Sequence, residues 1–198
     1  GELIEAIIEE SEDETLMDRY LAGEQIDEKM LVEDLETAIA RANFFPVMPV
    51  CSQTGTGLAE LLDLCVRAFP SPPEHVPPEV FTPQGRTAAP VTCDPTGPLV
   101  AEVVKTTSDP YLGRVSVVRV FSGTLTPDAS VHVSGHFQSF GAAGHEDHDE
   151  DERIGALAFP TGNQQVLAPQ VLAGDIAVVG RLSRAETGDT LSSPDQPR

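Results

Sequence analysis

Gly113 to Gly135 reads GRVSVVRVFSGTLTPDASVHVSG, and this stretch decides the fold. Two valine-rich runs flank a Gly123–Asp128 break of Gly, Thr, Pro and Asp, the pattern of two antiparallel strands and their turn. In the second run Ala129, Val131 and Val133 alternate with Ser130, His132 and Ser134, giving one apolar and one polar face at a period of two. In the first run Val115 and Val117 point one way and Val118 and Val120 the other, so that strand is either bulged or covered on both faces. Either arrangement suits a small closed barrel.

Working outward, further short strand candidates are Leu99–Lys105, Arg153–Phe159 and Gly174–Leu182, separated by turn residues and without a helical pattern. Such spacing predicts a barrel or sandwich over residues 91–198. Gly135–Glu152, rich in Gly, Ala, His, Asp and Glu, is expected to be a solvated, mobile loop. Upstream, Pro70–Pro90 carries seven prolines and no sustained periodicity, so it reads as a stiff, extended connection.

The first 69 residues have a different rhythm. Leu3, Ile4, Ile7 and Ile8, then Leu16, Met17, Tyr20 and Leu21, fall at helical spacings. Ser11 with Glu14 has the form of a capping box for a second helix, and Gly23 is placed to end it. Asp27 is suited to cap a helix carrying Met30, Leu31, Leu35, Ala38, Ile39 and Ala42. Phe44–Val50 is expected as a strand, limited by Pro46 and Pro49, and Leu58–Phe69 as a further helix. The fold class is therefore α+β: a helical α/β tail followed by a closed antiparallel β-barrel.

Composition excludes some functions. Thirty-two Asp and Glu against 12 Lys and Arg give a net charge of −20, which opposes a broad, sequence-independent grip on a nucleic-acid backbone such as DNA. Cys51, Cys65 and Cys93 show no CxxC spacing and fit a reducing, cytoplasmic setting. No run approaches the ~18 apolar residues of a membrane span, and the acidic start is not a targeting peptide, so no membrane partner is expected.

Asp109–Leu125, DPYLGRVSVVRVFSGTL, resembles the start of the second domain of elongation factor G. Arg153-Ile154-Gly155, then Val171–Gly180 (VLAGDIAVVG) and Thr187-Gly188-Asp189-Thr190-Leu191 follow in the order and rough spacing of that family's barrel. Phe69-Pro70-Ser71-Pro72 resembles the joint between the family's GTPase domain and second domain, and Leu16–Glu24 (LMDRYLAGE) resembles a helix of that GTPase domain. The resemblance implies residues 1–69 as the end of a GTPase domain, 70–90 as linker and 91–198 as the second domain of an elongation-factor-G-like translational GTPase. The chain would then start past the nucleotide core and stop before the later domains.

The resemblance also implies roles. Cys51, Ser52 and Gln53 fall where the family has its fifth guanine-nucleotide motif, although only Ser52 matches the usual Ser-Ala-Leu or Ser-Ala-Lys. Lys105, Arg114, Arg119, Arg181 and Arg184 lie on or beside the matching barrel motifs, where the family's second domain contacts small-subunit ribosomal RNA. The ribosome, through small-subunit RNA and ribosomal proteins, is the implied partner of a monomeric chain. The implied task is translocation or a related role in recycling, release or ribosome protection. GTP and magnesium belong to the intact protein; with no GxxxxGK[ST] loop and no Asn-Lys-x-Asp here, neither cofactor nor catalytic residue is expected in this chain. The rival reading is an acidic adaptor or metal-binding module around His145–Glu152, although adjacent charges in such number favour solvation over ligation.

Overall fold

A computed structural model describes residues 2–9, 11, 14–109, 113–136, 146–162 and 164–198. It divides into two compact units, Gly1–Ser71 and Pro72–Arg198.

The first unit is helical: α1 (Glu2–Glu9), α2 (Glu14–Leu21), α3 (Glu28–Ala40) and α4 (Leu58–Ala68). Gly23, with φ of 76°, follows α2 in the left-handed conformation, and the Gly23 and Glu24 amides donate to Tyr20 and Arg19 carbonyls. Asp27 caps α3 by accepting from the Lys29 amide at 3.2 Å. The Ser11 hydroxyl donates to Asp34 on α3 at 2.9 Å, tying the connection between α1 and α2 to α3. Ile7, Ile8, Leu16, Ala38 and Ala68 are buried, while Ala42, expected inward, is exposed.

Phe44–Val50 does not form the expected strand. Pro46 and Pro49 remove two donors, and among the described residues of this unit there is no other strand to pair with. The loop beyond folds into a tight turn closed by a single bridge, Cys51 with Thr56.

The second unit is built on an eight-stranded antiparallel sheet. Its strands are β1 (Val100–Asp109), β2 (Gly113–Ser122), β4 (Ser130–Gly135), β5 (His148–Arg153), β6 (Leu157–Thr161), β7 (Gln164–Leu167), β9 (Ile176–Gly180) and β10 (Thr190–Ser192), in the order β5-β4-β10-β1-β2-β9-β6-β7. A separate two-stranded ribbon pairs β3 (Thr124–Leu125) with β8 (Val171–Leu172). Both valine faces of β2 are covered. Val118 and Val120 enter the main core with Val103, Val131, Val133, Ile154, Leu157, Val179 and Leu191, while Val115 and Val117 pack with Ala158 and Val178 on the other side. The pairing of β1 with β2 slips twice: Val104 of β1 is the extra residue between Val103 and Lys105, and Phe121 of β2 is the extra residue where Val100 pairs Ser122 and Ala101 pairs Val120.

The expected hairpin opens differently from a two-strand turn. β2 runs to Ser122, Gly123 turns with φ of 77°, and the chain enters the β3 ribbon before β4. A Cβ on Gly123 would lie 2.7 Å from the Leu99 Cα, so both conformation and crowding demand glycine here.

The sheet is not a closed barrel, contrary to the sequence expectation. Its end strands, β5 and β7, do not pair with each other. β7 has only four residues, all exposed, and pairs with β6 alone. The span from β5 to β6 is a corner whose Gly155 amide donates to the Gly180 carbonyl, while the Gly180 amide donates to Ala156. The sequence candidate Arg153–Phe159 is thus two strand ends separated by this corner. The Gly135–Glu152 segment is corrected too: Gly135 completes β4 and His148–Glu152 are strand, while 137–145 lie outside the described residues. The proline-rich run from Pro72 belongs with this unit, with Pro72 against Gly174 and an isolated bridge between Phe81 and Thr87.

Candidate functional site

In the first unit Cys51, Ser52 and Gln53 share one turn that leads through Gly57 into α4. The Cys51 amide donates to the Thr56 carbonyl and the Gly55 amide to the Cys51 carbonyl, each at 2.9 Å. Ser52 and Gln53 are exposed. Hydrogen bonds from the Thr54 side chain, then from the Thr54 and Gln53 amides, hold the Cys51 thiol below its ordinary pKa.

The cations of the second unit are not gathered into one patch. Arg114 opens β2, where its guanidinium donates to the Ser183 carbonyl at 3.2 Å and lies 3.7 Å from Glu186. Arg184 is close to that same segment and pairs with Glu150 at 3.0 Å. Arg119 is five residues along β2 from Arg114, on the opposite face, and its guanidinium stacks 5.3 Å from the Phe121 ring. Lys105 sits on β1 opposite Val117. Arg181, exposed with φ of 68°, lies against Gly155 at the corner. The geometry therefore offers one cation pair, Arg114 and Arg184, already engaged by carboxylates, and separate outward cations at Lys105 and Arg181.

A more concentrated cluster lies where β4, β5 and β10 meet. β4 presents His132 and Ser134 at alternate positions, with His136 next in the same rhythm. β5 returns Asp149 and Asp151, preceded by Asp147. The register sets His132 opposite Asp151 and Ser134 opposite Asp149. His132 Nδ1 lies 2.9 Å from Asp151 and its Nε2 3.2 Å from Asp149. His136 Nε2 lies 2.9 Å from the other Asp149 oxygen, and its Nδ1 is 3.7 Å from Asp147. The Ser134 hydroxyl also donates to Asp149 at 2.9 Å.

The opposite face of β5 holds a more buried pair. His148 Nε2 is 2.8 Å from Asp189, whose side chain is wholly buried, and its Nδ1 is 3.1 Å from the Glu146 carbonyl. The same Asp189 oxygen accepts from the Glu186 amide at 2.7 Å. Burial pulls the His148 pKa down, but the Glu146 carbonyl, the Asp189 carboxylate and the charge of Glu186 outweigh it and raise the value above 6.5. Burial pushes Asp149 up, yet hydrogen bonds from His136, Ser134 and His132 prevail and hold it below 3.8.

Glu152 completes the attachment of β5, accepting from the Ser183 amide and hydroxyl and the Arg184 amide at 2.6, 3.1 and 2.7 Å. Among the described residues no three His, Cys, Asp or Glu side chains stand where they could hold a metal ion, and His145 lies outside those residues. Gly174-Asp175 is a turn, with the Asp175 amide donating to the Leu172 carbonyl, and the strand expected from Gly174 starts at Ile176. Neither the buried pairing of Asp189 with His148 nor the hold of β4 on Asp149 and Asp151 was anticipated from the sequence. The signal was present as a period of two: His132, Ser134, His136 against Asp147, Asp149, Asp151.

Comparison with known proteins decides the family. The sequence profile of elongation factor Tu domain 2 matches residues 113–192. Elongation factor G-like proteins from two strains of Mycobacterium tuberculosis, CDC 1551 / Oshkosh and ATCC 25618 / H37Rv, are each 66% identical over 201 residues, covering 100% of this chain and 28% of the relative. The chain belongs to the elongation factor G-like family. A crystal structure of a Thermus thermophilus protein superposes with a TM-score of 0.67 at 26% identity, covering 100% of this chain and 25% of that one. The chain thus spans about a quarter of the length of these relatives. Within this elongation factor G-like chain, the domain 2 match takes in Arg114, Arg119, Arg181, Arg184 and the whole histidine–carboxylate corner, while Lys105 and the Cys51–Gln53 turn lie outside it. No helix among the described residues is long and apolar enough to cross a membrane.

Proposed function

We propose that this chain forms part of a translational GTPase acting on the ribosome, its sheet unit docking on the small subunit and bracing the GTPase domain. The observation that carries the reading is 66% identity to elongation factor G-like proteins along the whole chain. Lys105 and Arg181 are the cations best placed to meet phosphate, being outward on β1 and at the corner. Arg119, stacked on Phe121, offers a flat cationic surface suited to a base or sugar. Arg114 and Arg184 contact phosphate only by exchanging Glu186 and Glu150 for it. The Cys51–Gln53 turn approaches the guanine base with main-chain groups, and GTP and magnesium are held chiefly by residues outside this chain. The high negative charge elsewhere restricts RNA contact to these few positions.

Cosedimentation with purified small and large ribosomal subunits tests the reading. Retention by the small subunit that weakens with salt supports it. Retention by neither subunit, or equal retention by both, counts against it.

A further inference from the structure

The His–Asp corner is a place where proton number and strand attachment are tied. His148 stands between a carboxylate and a carbonyl, two groups that only accept hydrogen bonds. His132 stands between the carboxylates of Asp149 and Asp151. A neutral imidazole has one N–H and one lone pair, so at either position it satisfies one neighbour and turns a lone pair toward the other. Only the ring carrying both protons satisfies both. His136 likewise faces Asp149 with one nitrogen and Asp147 with the other, at the longer distance of 3.7 Å.

These contacts join β5 to the rest of the unit across both of its faces. On one face His132, Ser134 and His136 grip Asp149 and Asp151, and on the other His148 reaches Asp189 at the start of β10. β5 itself reads HDEDER and brings no apolar side chain to the core, so beyond its backbone pairing with β4 it is held by charge. We propose that this corner is a proton-responsive latch: with His148 doubly protonated β5 is locked onto β4 and β10, and loss of that proton loosens β5 together with the Ser183–Arg184 segment that Glu150 and Glu152 hold. Freed of β5, Arg184 would exchange its Glu150 partner for solvent or another anion.

The groups facing the latch are Asp147, Asp149 and Asp151 around β5, His132 and His136 along and beyond β4, and Asp189 and Glu186 at β10. Arg114, 3.7 Å from Glu186, is the cation beside them. The sign follows from the two shifted groups. The raised His148 pKa gives a contribution fully present below 6.5 and lost as pH rises through its folded value. The lowered Asp149 pKa gives one present above 3.8 and lost as pH falls through its folded value. The latch is closed between those limits and opens on the alkaline side as pH rises through the folded value of His148. It stands independently of where the unit docks.

The test is amide exchange of the whole 198-residue chain over pH 5.5 to 8.5, with intrinsic rates divided out and β1 and β2 as internal reference. Protection of β5 should hold below 6.5 and then fall, by up to about tenfold per pH unit, while β1 and β2 keep theirs. His148→Gln should flatten the fall. Protection of β5 that tracks β1 and β2 throughout, or an unchanged fall in His148→Gln, would overturn the latch. A zinc titration at pH 7 is the companion measurement: no change in β5 exchange is expected, and strong added protection would make the corner a metal site instead.

Discussion

The buried carboxylate of Asp189 lies 2.8 Å from Nε2 of His148, a residue 41 positions earlier on the strand at the end of the sheet. One Asp189 oxygen serves both His148 and the Glu186 amide, while the other has no hydrogen-bond partner among the described residues and packs against Gly135. Removing the charge while keeping the shape should reveal what the pair contributes. Asp189→Asn is expected to lower stability by about 3 kcal/mol near pH 6 and by progressively less as pH rises through the raised folded value of His148. Thermal denaturation at the two pH values checks this; an equal loss at both would show that the pair is not sensitive to protonation.

Gly135 is small for a steric reason. A Cβ there would stand 2.5 Å from the Asp189 oxygen and 2.7 Å from His148 Cε1. Gly135→Ala should therefore cost about 1–3 kcal/mol by overpacking and move the His148 ring resonances, whereas most surface substitutions stay within about 0.5 kcal/mol. Chemical denaturation together with the histidine NMR spectrum reads both effects.

The two units should differ in local stability. The sheet unit has a continuous core that includes Val103, Val118, Val131, Leu157 and Leu191, whereas α4 leaves Leu62 67%, Val66 83% and Phe69 53% exposed. Amides of α1 to α4 are expected to exchange at least about tenfold faster than those of β1, β2 and β9. Equal protection would mean that the helices have a fuller core than their buried residues suggest.

Much of this was legible in the sequence where apolar periodicity was strong. The limits of β2, the Asp27 cap and the two-sided burial of its valines all follow from pattern, because side-chain alternation is set by the pleat. What was not legible depends on partners distant in sequence. HDEDER has no apolar stripe and reads as solvated loop; it becomes strand because β4 supplies histidines in matching register. Phe44–Val50 has strand composition, yet among the described residues its unit holds no neighbouring strand for its backbone to pair with. Closure of the sheet failed as an expectation for a related reason, since hydrophobic alternation predicts strands but not which end strands meet.

Guanine nucleotide should not bind this chain by itself. The Cys51–Thr56 turn offers main-chain groups to a base, but the sequence has no Gly-rich loop ending in Lys-Ser or Lys-Thr to hold phosphates. Calorimetry with GDP and magnesium is expected to show no binding heat; a micromolar dissociation constant would contradict this division of labour.

The most direct measurement places a photo-crosslinker at single positions and asks what each one touches on the ribosome. Lys105→p-benzoylphenylalanine and Arg181→p-benzoylphenylalanine should each crosslink to small-subunit RNA, with yields that fall as salt rises, while the same group at Glu60 on α4 should not. Crosslinks to small-subunit RNA from positions 105 and 181 alone would establish the sheet unit as the docking surface. Their absence at both positions, or an equal yield from position 60, would contradict it.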